Sequence, residues 1–182
     1  MKTSVYIATS LDGFIAREDG SLDWLPGSDG QAEPTSGKED YGYNAFFKSI
    51  DVVVMGRNTF ELAHGFGKWP YANKRVIVLS KTLNKIPDDL PETVELRNCT
   101  PNELYDELER SDAKHVYVDG GKTIQGFLNA GRIKQLIITR IPILIGSGIS
   151  LFGPLNHDIK LRHMETKAYA NGFVQSRYQV LG

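Results

Sequence analysis

The fold of this chain is constrained most by its short runs of β-branched and aromatic residues. Each of these runs is followed by a segment that is able to start a helix. Residues 51–56 (DVVVMG) lead through Arg57 into NTFELAHGF, and residues 115–119 (HVYVD) run into GGKTIQGFLNA. Such a run predicts a buried strand, and apolar residues at helical spacing predict a helix after it. Strands that alternate with helices favour a mainly parallel sheet, because parallel neighbours need a crossover connection.

Further runs of the same kind extend the predicted sheet. We expect strands at residues 3–9, 74–80, 93–98 and 133–144, a possible extended continuation at 14–16, and a short helix at 43–50. Asn171-Gly172 stands between two alternating runs, which is a strong hairpin signal. The sequence therefore predicts an α/β fold with one mixed, mainly parallel sheet, helices on both faces, and a C-terminal antiparallel hairpin.

One helix start is unusually well marked. Thr100 can act as N-cap, Pro101 suits the first helical position, and Glu103 completes a capping box. We expect that helix to run to about Arg110, and Gly131 to close the helix after the glycine pair.

Length and charge exclude several classes of function. The 182 residues are most simply one domain, 1–182, and the net charge of −1 without any run of Lys or Arg argues against binding to nucleic acid or an anionic membrane. No apolar run is long enough to span a bilayer, and the first residues lack a signal-peptide pattern. Cys99 is the single cysteine and the four histidines show no ligand spacing, so no metal site is predicted. We expect a cytoplasmic protein.

The residues that follow three of the strands form the candidate site. They are Arg57, Asn58 and Thr59 after the strand at 51–56, Ser80 and Lys81 at the end of the strand at 74–80, and Gly120, Gly121, Lys122 and Thr123 after the strand at 115–119. If these strands are parallel, their carboxyl ends lie together, where open α/β sheets bind ligands. Two helix N-termini with cations beside them suit a ligand with several phosphates. The structural alternative stays open, because hydroxyl and basic residues are common at helix starts and glycines can simply make turns.

Familiar phosphate motifs do not fit these residues. A P-loop register would place its first glycine at Val116, within a strand, and the Gly146-Ser147-Gly148 segment has Leu151 where a dinucleotide fingerprint needs glycine.

Between Leu22 and Tyr43 lies a long loop of polar, Gly and Pro residues that contains Trp24. Loops of this length are often functional, so we expect either an active-site lid or a surface position for Trp24.

At these residues the chain resembles a known superfamily. The segment VVVMGRNTFE resembles dihydrofolate reductases, and IVLSK resembles their next strand, which ends in a pair that binds the 2′-phosphate. The segment VDGGKTIQGFLNAGRIKQLIITRIPILIGSGISLFG is more similar to the C-terminal reductase domain of bifunctional riboflavin-biosynthesis proteins, and YIATSLDGFIA fits the first strand of both groups. The resemblance covers nearly the whole chain except the loop from Leu22 to Tyr43.

The resemblance implies a three-layer α/β/α fold and an NADPH-dependent reductase, often a homodimer, that acts on a small pyrimidine- or pteridine-type molecule. The cofactor-binding residues that it implies are Ala8, Asp12, Gly13, Ile15, Gly56, Arg57, Asn58, Thr59, Leu79, Ser80, Lys81, Asp119, Gly120, Gly121, Lys122, Thr123 and Ile124. The H-x-E and P-C-x-x-C signatures of the deaminase domain that usually precedes such reductases are not present, so we expect a stand-alone reductase.

The catalytic acid is where the sequence departs from the pattern. Dihydrofolate reductases carry a carboxylate in the first helix, and the corresponding residue here is Tyr43, with Glu39 and Asp40 one turn earlier. Asp40, Trp24 and Tyr43 are therefore the candidate catalytic residues. Dihydrofolate reduction, a non-catalytic NADP-binding protein, and a structural dimer with a vestigial cleft remain alternatives.

Overall fold

The computed structural model describes residues 1–26, 39–71 and 74–182, and within them the chain forms ten strands and four helices. Residues 27–38, the middle of the predicted long loop, lie outside the described residues. In chain order the elements are β1 (Lys2–Ser10), β2 (Phe14–Ala16), α1 (Tyr43–Ser49), β3 (Val52–Gly56), α2 (Arg57–Gly65), β4 (Arg75–Leu79), β5 (Val94–Arg97), α3 (Pro101–Arg110), β6 (His115–Asp119), α4 (Gly121–Asn129), β7 (Gln135–Ile141), β8 (Ile149–Ser150), β9 (Lys160–Ala168) and β10 (Val174–Leu181).

Eight of the strands form one mixed sheet in the order β5-β4-β3-β6-β1-β7-β10-β9. The first six are parallel to one another, and β10 is antiparallel to both β7 and β9. This arrangement confirms the predicted parallel sheet, and it confirms the hairpin whose turn contains Asn171 and Gly172. The strands predicted at 51–56, 74–80 and 115–119 are neighbours in the sheet. Their carboxyl ends, where the candidate ligand-binding residues lie, are therefore next to one another.

Helices cover both faces of the sheet. On one face, α3 and α4 bury Leu104, Leu108 and Phe127 against the strands, and on the other α1 and α2 bury Phe46 and Phe60. These side chains are at most 8% exposed, so each helix buries its apolar face against the sheet. The three-layer α/β/α prediction is confirmed. No helix in the described ranges is both long and apolar enough to cross a membrane.

Two segments differ from their predicted form. The strand expected at 133–144 spans only Gln135–Ile141, and it ends at Ile141 because Pro142 has no N–H to continue the ladder. Ile149–Ser150 forms a short strand that the sequence did not indicate, and it pairs with β2 in a separate two-stranded sheet. Two residues are too few to give a periodic signal.

The start of α3 provides a stability test. Thr100 Oγ1 accepts a hydrogen bond from the Glu103 N–H, and the Glu103 carboxylate accepts one from the Thr100 N–H at 2.8 Å. We predict that Thr100→Ala lowers the free energy of unfolding by about 1 kcal/mol, as measured by urea denaturation. Thr100→Ser keeps the hydroxyl and should retain most of this stability; equal losses in both variants would contradict the capping role.

Candidate active site

The carboxyl ends of β3, β4 and β6 lie in register at one edge of the sheet. Gly56 pairs with Leu79 on β4, and Met55 pairs with Asp119 on β6. All three predicted strand ends therefore open onto the same place, where α2 and α4 begin. The sequence prediction that these ends lie together is confirmed.

The helices α2 and α4 begin without side-chain caps. Their N-cap residues are Gly56 and Gly120, neither makes a side-chain cap bond, and neither helix carries an acid in its first turn. The N–H groups of a first helical turn have no partners within the helix and carry the positive end of its dipole. Two such starts side by side form an environment that favours an anion.

Two reciprocal contacts hold these helix starts together. A Cβ on Gly56 would lie 2.8 Å from Thr123 Oγ1, and a Cβ on Gly120 would lie 2.3 Å from Thr59 Oγ1. Each N-cap glycine thus faces the third residue of the other helix. Gly120 also has φ +88° and ψ 137°, a conformation that side chains other than glycine rarely adopt. The glycines are required by the contact between the helices.

The second glycine of the pair packs closely against protein. The family resemblance places Gly121 among the cofactor-binding residues, and that role stays a prediction for its backbone. A Cβ on Gly121 would lie 3.0 Å from Ile15 Cδ1 and 3.3 Å from the Ser150 carbonyl oxygen. Gly121 allows the small β2–β8 sheet to pack closely on α4, so the side of Gly121 that would carry a Cβ is filled by protein.

The end of β4 carries polar and basic groups beside α2. Ser80 Oγ accepts hydrogen bonds from the N–H groups of Thr82 and Leu83, which fixes the turn after the strand. Arg57 Nη1 donates to Thr82 Oγ1 at 3.2 Å, so the guanidinium from the start of α2 reaches this turn. Lys81 lies exposed in the same turn. Two cations from different elements therefore border one patch of surface.

At the end of β1, Asp12 connects two loops. Its carboxylate accepts hydrogen bonds from Ser10 Oγ at 2.5 Å and from the Gly146 N–H at 2.8 Å. The Ser10 bond contributes most to lowering the pKa of Asp12, so the group stays ionised. Gly13 accepts a hydrogen bond from the Leu151 N–H, and Ala8 packs beside the buried Trp24. Asp12 and Gly13 thereby hold the 143–151 segment against the end of β1.

Asp119, at the end of β6, is surrounded by tyrosines. Its Oδ1 accepts a hydrogen bond from the Gly120 N–H at 2.8 Å, and its Oδ2 accepts one from the Tyr71 hydroxyl at 3.4 Å. Tyr117 precedes it by two positions on the same face of β6, and Tyr43 lies near enough to interact electrostatically. Burial raises the pKa of Asp119 against the opposing effect of these hydrogen bonds, which favours a protonated carboxyl in this cluster.

The tyrosines beside this carboxyl form an aromatic group. Tyr43 stacks on Phe47 with ring centroids 5.7 Å apart and meets Tyr6 edge-on at 5.4 Å. Burial raises the pKa of Tyr43 to about 12. Tyr43 was a candidate from its position in the first helix, whereas Tyr71 and Tyr117 were missed. The i, i+2 spacing of Tyr117 and Asp119 in a strand was the signal that could have paired them.

The other two candidate catalytic residues have structural partners. Asp40 accepts hydrogen bonds from the Gly42 and Asn44 N–H groups, each at 2.9 Å, at the start of α1. These two bonds lower the pKa of Asp40, so it is an ionised capping residue and a poor proton donor. Trp24 is 7% exposed and packs against Ile141 and Phe173, which places it in a buried cluster and not at the surface.

The remaining candidates divide between the surface and the core. Arg57, Asn58 and Lys122 are exposed at the two helix starts. Ile124 is fully buried in the core, and its N–H is bonded to the Gly120 carbonyl oxygen at 2.8 Å. Ile124 thus contributes packing, and the exposed residues provide the polar groups of the site.

The fold is that of the dihydrofolate-reductase-like class. Dihydrofolate reductase from Enterococcus faecalis, solved with NADP(H), superposes with a TM-score of 0.66 at 18% identity over 100% of this chain and 97% of its own. The chain matches the RibD C-terminal domain model over residues 2–175, and it belongs to that family.

Two relatives resemble the chain along its whole length. A protein from Shewanella sp. PV-4, provisionally named a riboflavin biosynthesis protein, has a crystal structure with a TM-score of 0.91, 36% identity and full coverage of both chains. The uncharacterized protein YwjB of Bacillus subtilis (strain 168) is 35% identical over 179 residues, which is 97% of each chain.

The Gly–Thr contacts can be tested by double substitution. We predict that Gly56→Ala lowers the free energy of unfolding by about 1–3 kcal/mol, because its Cβ meets Thr123 Oγ1, and that adding Thr123→Ala recovers most of the loss. Gly120→Ala should stay destabilising when Thr59→Ala is added, because φ +88° remains unfavourable. Urea denaturation of the four single and two double variants measures both couplings. No recovery for the Gly56 pair would contradict the contact.

Proposed function

We propose that this protein is an NADPH-dependent reductase that transfers hydride to a small pyrimidine- or pteridine-type substrate, resembling the 5-amino-6-(5-phosphoribosylamino)uracil reductase of riboflavin biosynthesis. The observation that carries this proposal is the pair of uncapped helix starts, α2 and α4, packed together beside the cations at the end of β4. NADPH supplies the hydride when it is bound, and the protein supplies position and electrostatics.

The helix starts fit a pyrophosphate. Gly56 and Gly120 bring the two first turns into contact, so their N–H groups are available to a single ligand. Neither first turn contains an acid, and the carboxyl beside them, that of Asp119, accepts a hydrogen bond from the Gly120 N–H. Backbone N–H groups bind phosphate oxygens without depending on the conformation of long side chains, which suits a site that must hold its ligand in one orientation.

The turn after β4 fits a separate monophosphate. Arg57 reaches this turn through its hydrogen bond to Thr82, and Lys81 lies exposed beside it. Arginine and lysine are the side chains that bind phosphate most strongly, Arg through a planar fork and Lys as a point charge. A 2′-phosphate on the cofactor would meet both charges, which favours NADPH over NADH.

Asp119 and the tyrosines fit the substrate side of such a reaction. A substrate that accepts hydride at one atom accepts a proton at another, and burial raises the pKa of the Asp119 carboxyl, so it keeps a proton to higher pH than an exposed aspartate. Half-buried Tyr43 and Tyr6 provide flat surfaces for a heteroaromatic ring. We therefore assign proton donation to Asp119 in place of Asp40.

The relatives support this class of reaction. The chain belongs to the RibD C-terminal domain family, and RibD of Corynebacterium ammoniagenes is named as a riboflavin biosynthesis protein. The Enterococcus faecalis dihydrofolate reductase with the same fold binds NADP(H). The homodimer that the sequence resemblance implies stays a prediction.

Cofactor choice can be measured by fluorescence titration. We predict that Lys81→Ala weakens NADPH binding about tenfold and leaves NADH binding unchanged, since a charge-assisted bond to the 2′-phosphate contributes on the order of 1.5 kcal/mol. Lys85→Ala is the matched control, because Lys85 is 74% exposed in the following segment and pairs with Asp88. Equal losses for NADPH and NADH would remove Lys81 from the 2′-phosphate site, and no binding of either cofactor would overturn the proposed function.

The proton donor can be identified from pH profiles of NADPH oxidation, with 5-amino-6-(5-phosphoribosylamino)uracil and dihydrofolate as trial substrates. Because burial raises the pKa of Asp119, its protonated form persists above the ordinary range, and kcat should fall as pH rises through that raised value. We predict that Asp119→Asn lowers kcat by about a hundredfold and abolishes this dependence.

Asp40→Asn is the matched control for the proton donor. It removes one carboxylate from the start of α1, and should lower stability while leaving the shape of the pH profile unchanged. A profile that changes in Asp40→Asn but persists in Asp119→Asn would reverse the assignment.

A further inference from the structure

A polar groove lies at the amino ends of the parallel strands, opposite the candidate active site. Its volume is about 530 Å³, and the polar residues that line it are Lys2, Lys134, Gln135, Glu165, Arg177 and Gln179. Small-molecule sites commonly have volumes of roughly 300–1,000 Å³. The strand β1 spans nine residues from Lys2 to Ser10, so at ~3.3 Å per residue the groove is on the order of 25 Å from the cofactor site.

Strand register positions the lining residues. Gln135 pairs with Gln179 on β10, and Arg177 pairs with Ile137 and with Glu165 on β9. The backbone of Lys134 is fixed on both sides, since its N–H donates to the Thr3 carbonyl at 2.9 Å and its carbonyl accepts from the Val180 N–H at 3.0 Å. The groove is therefore formed by regular sheet and not by loops.

The charges in this groove are unbalanced. Three cations, Lys2, Lys134 and Arg177, face one carboxylate, Glu165, which lies 3.6 Å from Arg177. Burial lowers the pKa of Lys2, and the positive charge of Arg177 lowers it further. The chain as a whole has a net charge of −1, so this excess of positive charge is local. A ligand that carries two or more negative charges would relieve the repulsion.

We propose that the groove between β1, β7, β10 and β9 binds a small phosphorylated anion, held by Lys2, Lys134 and Arg177. The cations supply charge-assisted bonds to phosphate oxygens, and the side-chain amides of Gln135 and Gln179 add neutral donors. A second copy of the chain is a poorer occupant, because a two-fold contact through this groove would place the same three cations against one another. This inference is independent of the proposed reductase function.

Inorganic pyrophosphate is the probe for this site, and NMR of the full chain monitors its binding. The method separates the groove from the helix starts, where pyrophosphate can also bind, because Gln135 and Gln179 report on one and the Gly121 amide on the other. We expect saturable shifts of the two glutamine side-chain amides. Shifts confined to the helix starts, or no shifts, would overturn the proposal.

Charge-neutral variants test which residues hold the anion. Lys2→Gln/Lys134→Gln should weaken pyrophosphate binding in the groove at least about tenfold, with shifts at the Gly121 amide unchanged. Lys160→Gln is the control, because Lys160 is exposed on the same hairpin and is not among the groove residues. An equal loss in Lys160→Gln would indicate diffuse attraction and overturn the site. Tighter binding of an oligonucleotide than of pyrophosphate in the groove would overturn the small-anion assignment.

Discussion

The candidate active site depends on the close contact between the starts of α2 and α4. Gly56 lies against Thr123 and Gly120 lies against Thr59, so each helix start is fitted to the other through a position without a side chain. The strands β3 and β6 are neighbours in the sheet, which brings the two turns together in the first place. Without this contact the N–H groups of the two first turns would lie apart; with it they border the one region to which our proposal assigns a pyrophosphate.

A second constraint acts beside these turns, on the carboxyl of Asp119. Burial raises the pKa of Asp119, which ends β6. The hydrogen bonds from Tyr71 and from the Gly120 N–H oppose this shift, because they stabilise the ionised form. Asp40 has the opposite environment, with two backbone N–H groups that hold it ionised. The pKa values of two carboxyl groups near one aromatic group are thus shifted in opposite directions by their surroundings, a pattern typical of acid–base sites.

Sheet topology also separates the two candidate binding regions. The helix starts and Asp119 lie at the carboxyl edge of the parallel strands, whereas the Lys2 and Lys134 groove lies at the amino edge. The hairpin connects them, because its turn carries Phe173, which packs on Trp24 and Ile141 near the carboxyl edge, while Arg177 and Gln179 reach the groove. One antiparallel addition to the sheet therefore contributes to both edges.

The sequence by itself determined the order and type of most elements. Hydrophobic runs predicted the parallel strands, Thr100 and Glu103 predicted the capped helix, and Asn171-Gly172 predicted the hairpin, because each signal depends on residues close together in the chain. Residues after the strands also located the candidate site. Only the tertiary structure decided what Gly121, Asp40 and Asp119 contact: the packing of β2–β8, the N–H groups of α1 and the tyrosine cluster come from other segments, and burial and pKa depend on such long-range neighbours.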